Sequence, residues 1–181
     1  MAAFARAAAE TCQANNEKIR IKMESDNTQT ITIVLRSDMQ NAGQTSGNLI
    51  ELSTAWFSQH PDDQGAIVHE MGHVHQGYTG GNQPFWIVEG IADYVRYWAG
   101  YANSWSYAHC ANGSPHYTSG YWCSAAFLNY VEKTYDSQLL PKLNRDVRNG
   151  QYADTWFQNA TGKTADQLWT ECQQTDCKLI G

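Results

Sequence analysis

The order of the apolar patterns predicts an α+β chain, with a small sheet first and mostly helices after it. Three observations carry this. Alternating or β-branched runs are confined to the early part of the chain, such as Thr30-Ile31-Thr32-Ile33-Val34-Leu35. From about residue 61 onward, apolar residues recur at spacings of three and four. No internal repeat or linker divides the chain, and 181 residues suit one domain with a sizeable core. The expected organisation is a single domain over 1–181, with a sheet part in about 1–60 and helices in about 61–181.

Taken in order, the alanine-rich stretch from about 3 to 14 reads as a helix. Ile19, Ile21 and Met23 alternate with Arg20 and Lys22, the pattern of a half-buried strand. A turn at Glu24-Ser25-Asp26-Asn27 leads to the strand 30–35, and a polar loop follows from Asn41 to Gly47. Asn48 to Ser53 reads as a short strand. Pro61 and the acidic pair Asp62-Asp63 mark a helix start, in which Ile67, Met71 and Val74 form an apolar stripe. Gly77, Gly80, Gly81 and Asn82 end that helix, and Pro84 opens a second, from 85 to about 98. A loop rich in Tyr, Ser and Gly spans 100 to about 120. Helices follow at about 121–135, 138–148 and 165–173, the last with a Thr164-x-x-Gln167 capping box.

Composition narrows the function classes. With a net charge of −6 and no lysine or arginine block, nothing points to nucleic acid. No apolar run is long enough to span a membrane, and the N-terminus lacks the apolar core of a signal peptide. It therefore reads as a mature form from which any export signal has been removed. Five cysteines without a C-x-x-C pair read as disulfides of a secreted protein. Cys110 with Cys123 and Cys172 with Cys177 are the natural pairs, leaving Cys12 odd, and other pairings stay open. Two sequons, at Asn112 and Asn159, admit glycosylation in a eukaryotic host, Pro115 making the first the poorer one. The seven Trp and ten Tyr either bury area or line a peptide or sugar cleft. A monomer is the default expectation.

The helix expected to start at Pro61, with Asp62 and Asp63 in its first turn, contains His69-Glu70-Met71-Gly72-His73, an H-E-x-x-H pattern. Residues four apart leave one helix face about a turn apart, so both imidazoles can share one Zn²⁺. Glu70 follows the first histidine, where it can act on the metal's water rather than on the metal. A catalytic zinc wants a third protein ligand and one open position. Glu89 is the candidate: it lies far enough past His73 for a loop and a returning helix, and Ile87, Val88, Ile91 and Ala92 surround it. Asp93, one turn later on the same face, is placed to orient a ligand histidine, His69 before His73, with an ion pair to Arg96 as the competing reading. His75 lies about 240° around the helix from His69 and reads as structural, or as a group at the cleft edge.

The run 69–76 together with Glu89-Gly90-Ile91-Ala92-Asp93-Tyr94-Val95-Arg96 resembles the plant basic secretory protein family and its microbial relatives, zinc metallopeptidases of the gluzincin type. The likeness extends through Ile50-Glu51-Leu52-Ser53, Ala99-Gly100-Tyr101-Ala102, Gly120-Tyr121, Ala126-Phe127-Leu128, Tyr130 and Gly162 to Trp169, covering about residues 48 to 170. It implies His69, His73 and Glu89 as ligands, Glu70 as catalytic base, an extracellular location and a zincin-like, thermolysin-like core. The acidic net charge departs from the family's "basic" label, and Gln76 and Thr79 stand where a metzincin would have glycine and a third histidine.

The reaction these readings imply is peptide-bond hydrolysis of a protein or peptide substrate. Tyr121, at the start of the third long helix and matching the family motif, is the candidate donor to the oxyanion, with His116 and Tyr117 as alternatives. The strand Leu49–Ser53 is a candidate for pairing with an extended substrate. Two other classes compete: a non-enzymatic secreted protein whose zinc stabilises a carbohydrate- or peptide-binding fold, and a zinc amidase acting on cell-wall peptides. Glu70 argues against the first, because a structural zinc has no use for that carboxylate.

Overall fold

The computed structural model describes residues 2–80, 83–101, 116–175 and 177. Helix α1, Ala2–Lys22, opens the chain and is far longer than expected. It absorbs the segment read as a strand. Alternation would place Ile19, Ile21 and Met23 on one side. Instead Ile19 and Met23, four apart, are fully buried, while Ile21 is 63% exposed. The helical hydrogen bond Met23 N–H to Ile19 C=O continues the spiral by one residue. Packing against the helix that carries H-E-x-x-H decides the matter, because it buries only that helical stripe.

The sheet is small and mixed. Strands β1 (Thr32–Arg36), β2 (Gly43–Ser46) and β3 (Leu49–Ser53) lie in the order β1-β3-β2. β1 pairs parallel with β3, Thr32 opposite Leu49, and β2 pairs antiparallel with β3, Gly43 opposite Leu52. The polar segment expected as a loop thus contains a strand, whose backbone pairing with β3 outweighs its weak side-chain preference. Both sides of β3 are occupied, so the expected substrate-docking strand Leu49–Ser53 has no free edge. β2 is the edge strand nearer the H-E-x-x-H helix.

Helix α2, Thr54–Gln59, follows at once, with the Ser53 side chain accepting from the Trp56 N–H as its cap. Helix α3, Gln64–Gln76, begins at Asp63, whose carboxylate accepts from the Ala66 N–H, and ends at Gly77, φ 60°. It is buried almost all round, between the sheet, α1 and α4. Helix α4 spans Phe85–Trp98, α5 Tyr121–Thr134, α6 Leu139–Arg148, α7 Trp156–Thr161 and α8 Ala165–Gln174. The short helices α2 and α7, and a 3-10 turn at Tyr117–Ser119, lie in segments with no local periodicity to announce them. The Thr164/Gln167 capping box is present. Ile67, Met71, Ile87, Ile91, Phe127, Leu128 and Phe157 are completely buried and form the shared core of these helices.

Many of the abundant rings belong to this core: Tyr117, Phe127, Phe157 and Trp169 pack together with Trp86. Cys172 and Cys177 form a disulfide, and Cys12 is free among the described residues. The expected partner of Cys123, Cys110, lies outside the described residues, as do Gly81, Asn82 and the Asn112 sequon. Asn159 is exposed on α7. Among the described residues, no helix is long and apolar enough to cross a membrane.

Candidate metal centre

Helices α3 and α4 bring three side chains to one point. His69 and His73, one turn apart on α3, direct Nε2 atoms to within 3.1 Å of each other. Glu89 Oε2, from the second turn of α4, lies 3.2 Å from His69 Nε2 and 3.6 Å from His73 Nε2. The helices come close because Gly72 of α3 packs directly on Ala92 of α4, where a Cβ would sit 3.0 Å from the Ala92 Cα. All the ligand atoms of this group lie within 4.8 Å of one another, so the three residues could hold a metal ion. Two imidazole nitrogens and one carboxylate oxygen are the donor chemistry of a site that keeps a position open.

Each imidazole is held from behind. His69 Nδ1 is 2.7 Å from Asp93 Oδ1, one turn after Glu89 on α4. Asp93 is buried, and its other oxygen, Oδ2, has no hydrogen-bond partner among the described residues. The competing pairing with Arg96 does not form; Arg96 Nη2 instead donates to Asp63 Oδ1 at 2.9 Å. His73 Nδ1 is 2.7 Å from Gln76 Oε1. The surrounding charge is negative. Burial disfavours the His69 imidazolium, but Asp93, Glu89 and Glu70 together outweigh it and push the group up to about 10. Burial likewise disfavours the Glu89 carboxylate, yet the two histidines hold it down at about 2. A site this favourable to positive charge suits a cation.

Glu70 leaves the adjacent face of α3, toward the sheet edge and into the same cleft as His69 and His73. The hydroxyl of Thr45 on β2 donates to Glu70 Oε2 at 2.7 Å. The neighbouring Gly43 leaves the space the carboxylate fills; a Cβ there would lie 2.8 Å from Glu70 Oε1. The group opens into a cleft of about 670 Å³, lined by β2, α3 and α4, with Trp56, Tyr78, Tyr121 and Trp122 among its walls.

One family model, described as BSP, peptidase of plants and bacteria, matches residues 3–172. The chain belongs to this family. Neither a curated protein nor a solved structure matches it.

In this member of the BSP family, Tyr121 sits at the cleft wall with its ring 6.1 Å from that of His69. Its backbone is left-handed, φ 50°, unusual for an aromatic residue and costly. The preceding Gly120 also has positive φ, 85°, and a Cβ there would come 2.6 Å from the Phe85 ring. Burial, with Glu89, Asp93 and Glu70 nearby, raises the Tyr121 phenol above its ordinary range, so it stays a proton donor. His116 and Tyr117, the alternatives to it, do not line the cleft. His116 caps the 3-10 turn, with Nδ1 2.9 Å from the Thr118 hydroxyl, and Tyr117 donates to Asp166 at 2.8 Å. Local capping and core packing hold both away. His109 lies outside the described residues.

His75 is 1% exposed and structural in its contacts, with Nε2 2.8 Å from Asn16 Oδ1 and Nδ1 3.3 Å from the Ser25 hydroxyl. Burial, then Arg20 and Arg148, lower it to about 4, so it is neutral at pH 7. Three residues at the site escaped the sequence reading: Thr45, Gly43 and Gln76. The first two sit on a strand without a local signal. Gln76 did carry one, since it lies three residues after His73, on a neighbouring position of the same helix face.

Proposed function

We propose that this chain is a secreted zinc-dependent peptidase, a single zincin-like domain with a thermolysin-like arrangement that acts as a monomer and cleaves within protein or peptide substrates. The observation that carries the reading is a carboxylate outside the ligand group, Glu70, which lines the same open cleft as His69, His73 and Glu89. A structural metal site would need no such neighbour. The Cys172–Cys177 disulfide supports export to an oxidising compartment.

His69, His73 and Glu89 would hold the zinc, which when bound supplies Lewis-acid polarisation of the scissile carbonyl and acidifies water. Asp93 and Gln76 keep the Nδ1 of each histidine engaged, which leaves both Nε2 atoms available as donors. Glu70, steadied by Thr45, takes the proton of the attacking water and passes it to the leaving amine. Tyr121 donates to the developing oxyanion. An extended substrate pairs with the edge strand β2, in place of β3.

Purified protein is expected to bind about one zinc and to cleave casein, with chelator abolishing both. Glu70→Gln keeps the metal and loses about 10²- to 10⁴-fold in kcat, the range of general acid–base catalysis. Full turnover by that variant would refute the mechanism.

A further inference from the structure

We propose that Gln76 is a positioning residue that selects the tautomer of His73 and ties it to the helix carrying Glu89. The inference rests on the zinc reading above. Gln76 is 1% exposed, at the last turn of α3, and its side-chain amide makes two contacts. Nε2 donates to the Val88 carbonyl of α4 at 2.6 Å, and Oε1 faces His73 Nδ1 at 2.7 Å. A carbonyl oxygen only accepts, so the NH₂ end of the amide must face Val88. The oxygen end is then left to His73, and an amide oxygen also only accepts, so His73 Nδ1 must carry the proton. The unprotonated nitrogen is Nε2, the atom that faces His69 and Glu89.

Val88 precedes Glu89, so the same amide spans from one ligand to the neighbour of another. A glutamate could satisfy His73 but not the Val88 carbonyl. An asparagine is one methylene too short to reach both. The Gln76 main chain is anchored as well, since Arg148 Nε donates to its carbonyl at 2.9 Å. The two histidines are therefore supported unequally, His69 by a buried carboxylate and His73 by a neutral amide.

The test is zinc affinity, measured by competition with a chromophoric chelator, for wild type, Gln76→Leu and Gln76→Glu, with circular dichroism and melting recorded in excess chelator. Gln76→Leu is expected to weaken zinc about 10- to 100-fold, the usual cost of losing a group that orients a ligand, with the metal-free fold kept. Gln76→Glu, which restores the acceptor, is expected to fall between that variant and wild type. A dissociation constant for Gln76→Leu within twofold of wild type would overturn the proposal while leaving the zinc reading intact. Equal losses in the two variants would overturn it too, since the His73 contact would then not matter. Should Gln76→Leu fail to fold, Gln76→Met decides, being of similar length but without the acceptor oxygen: an affinity within twofold of wild type overturns the proposal, and a loss of about 10- to 100-fold upholds it. Failure of the wild type to bind zinc would instead sink the reading on which the proposal rests.

Discussion

The helices α3 and α4 and the strand β2 face each other across the same cleft, yet they are built from opposite kinds of sequence. The helices are largely apolar and bury most of their length, with Ile67, Met71, Ile87 and Ile91 in the core. Strand β2 is Gly43-Gln44-Thr45-Ser46, without one large apolar side chain. The helices contribute the group that could hold a metal ion. The strand contributes the hydroxyl that steadies Glu70 and the glycine that makes room for it. Ligands need rigid placement on elements that hold themselves together by core packing. The proposed base can be tuned from an edge strand that is held by backbone pairing and by polar side-chain contacts of Gln44 and Thr45.

Experiments can break that division of labour. The largest effect is expected on the helical side. Glu89→Ala should weaken zinc by more than the roughly 100-fold that losing a supporting residue can cost. Unchanged zinc content by elemental analysis would remove Glu89 from the ligand set. On the strand side, Thr45→Val should leave zinc content and KM near wild type and lower kcat by about 10- to 100-fold, because a hydrogen bond to a charged group is worth roughly 1.5–3 kcal/mol. Thr45→Ser, which keeps the hydroxyl, should restore most of it. A KM effect without a kcat effect would show that β2 serves substrate docking alone. Gly43→Ala should act like Thr45→Val by displacing the Glu70 carboxylate.

Two smaller effects follow from charge. Without metal, Asp93, Glu89 and Glu70 favour the His69 imidazolium at neutral pH, so zinc bound there as proposed would release that proton. Titration calorimetry in buffers of differing ionisation enthalpy should detect that proton, and zinc affinity should fall as pH falls; a proton count of zero would contradict the site as drawn. His75 works in the opposite sense. Its folded value of about 4 lies below the unfolded value of about 6.5. The stability it contributes is therefore fully present above pH 6.5 and is lost as pH falls through 4. The melting temperature of the metal-free protein should drop across that window, and less so in His75→Gln, which has no imidazole to protonate.

The histidine–glutamate pattern was legible because helix geometry converts a spacing of four into a shared face without help from the rest of the fold. Glu89 and Asp93 were legible at one remove, as acids one turn apart on an apolar helix. Tyr121 came from the family motif, and the structure adds its left-handed backbone at the cleft wall. The segment 19–23 misled because isoleucines and a methionine at alternate positions suit a strand as well as one stripe of a helix. Only the surface offered by α3 distinguishes the two.

The sequence by itself determined the α+β order, the motif helix starting near Asp62-Asp63 and ending at Gly77, and the three residues that could hold a metal ion. These follow from local periodicity and capping, which act over a few residues. Tertiary structure alone decided that β2 is a strand, that Thr45 meets Glu70, that Arg96 goes to Asp63 rather than Asp93, and that Gln76 reaches Val88. Each of those is a contact between elements. Its energy depends on which polar group finds a partner when the helices and sheet close together, and a sequence window does not contain that partner.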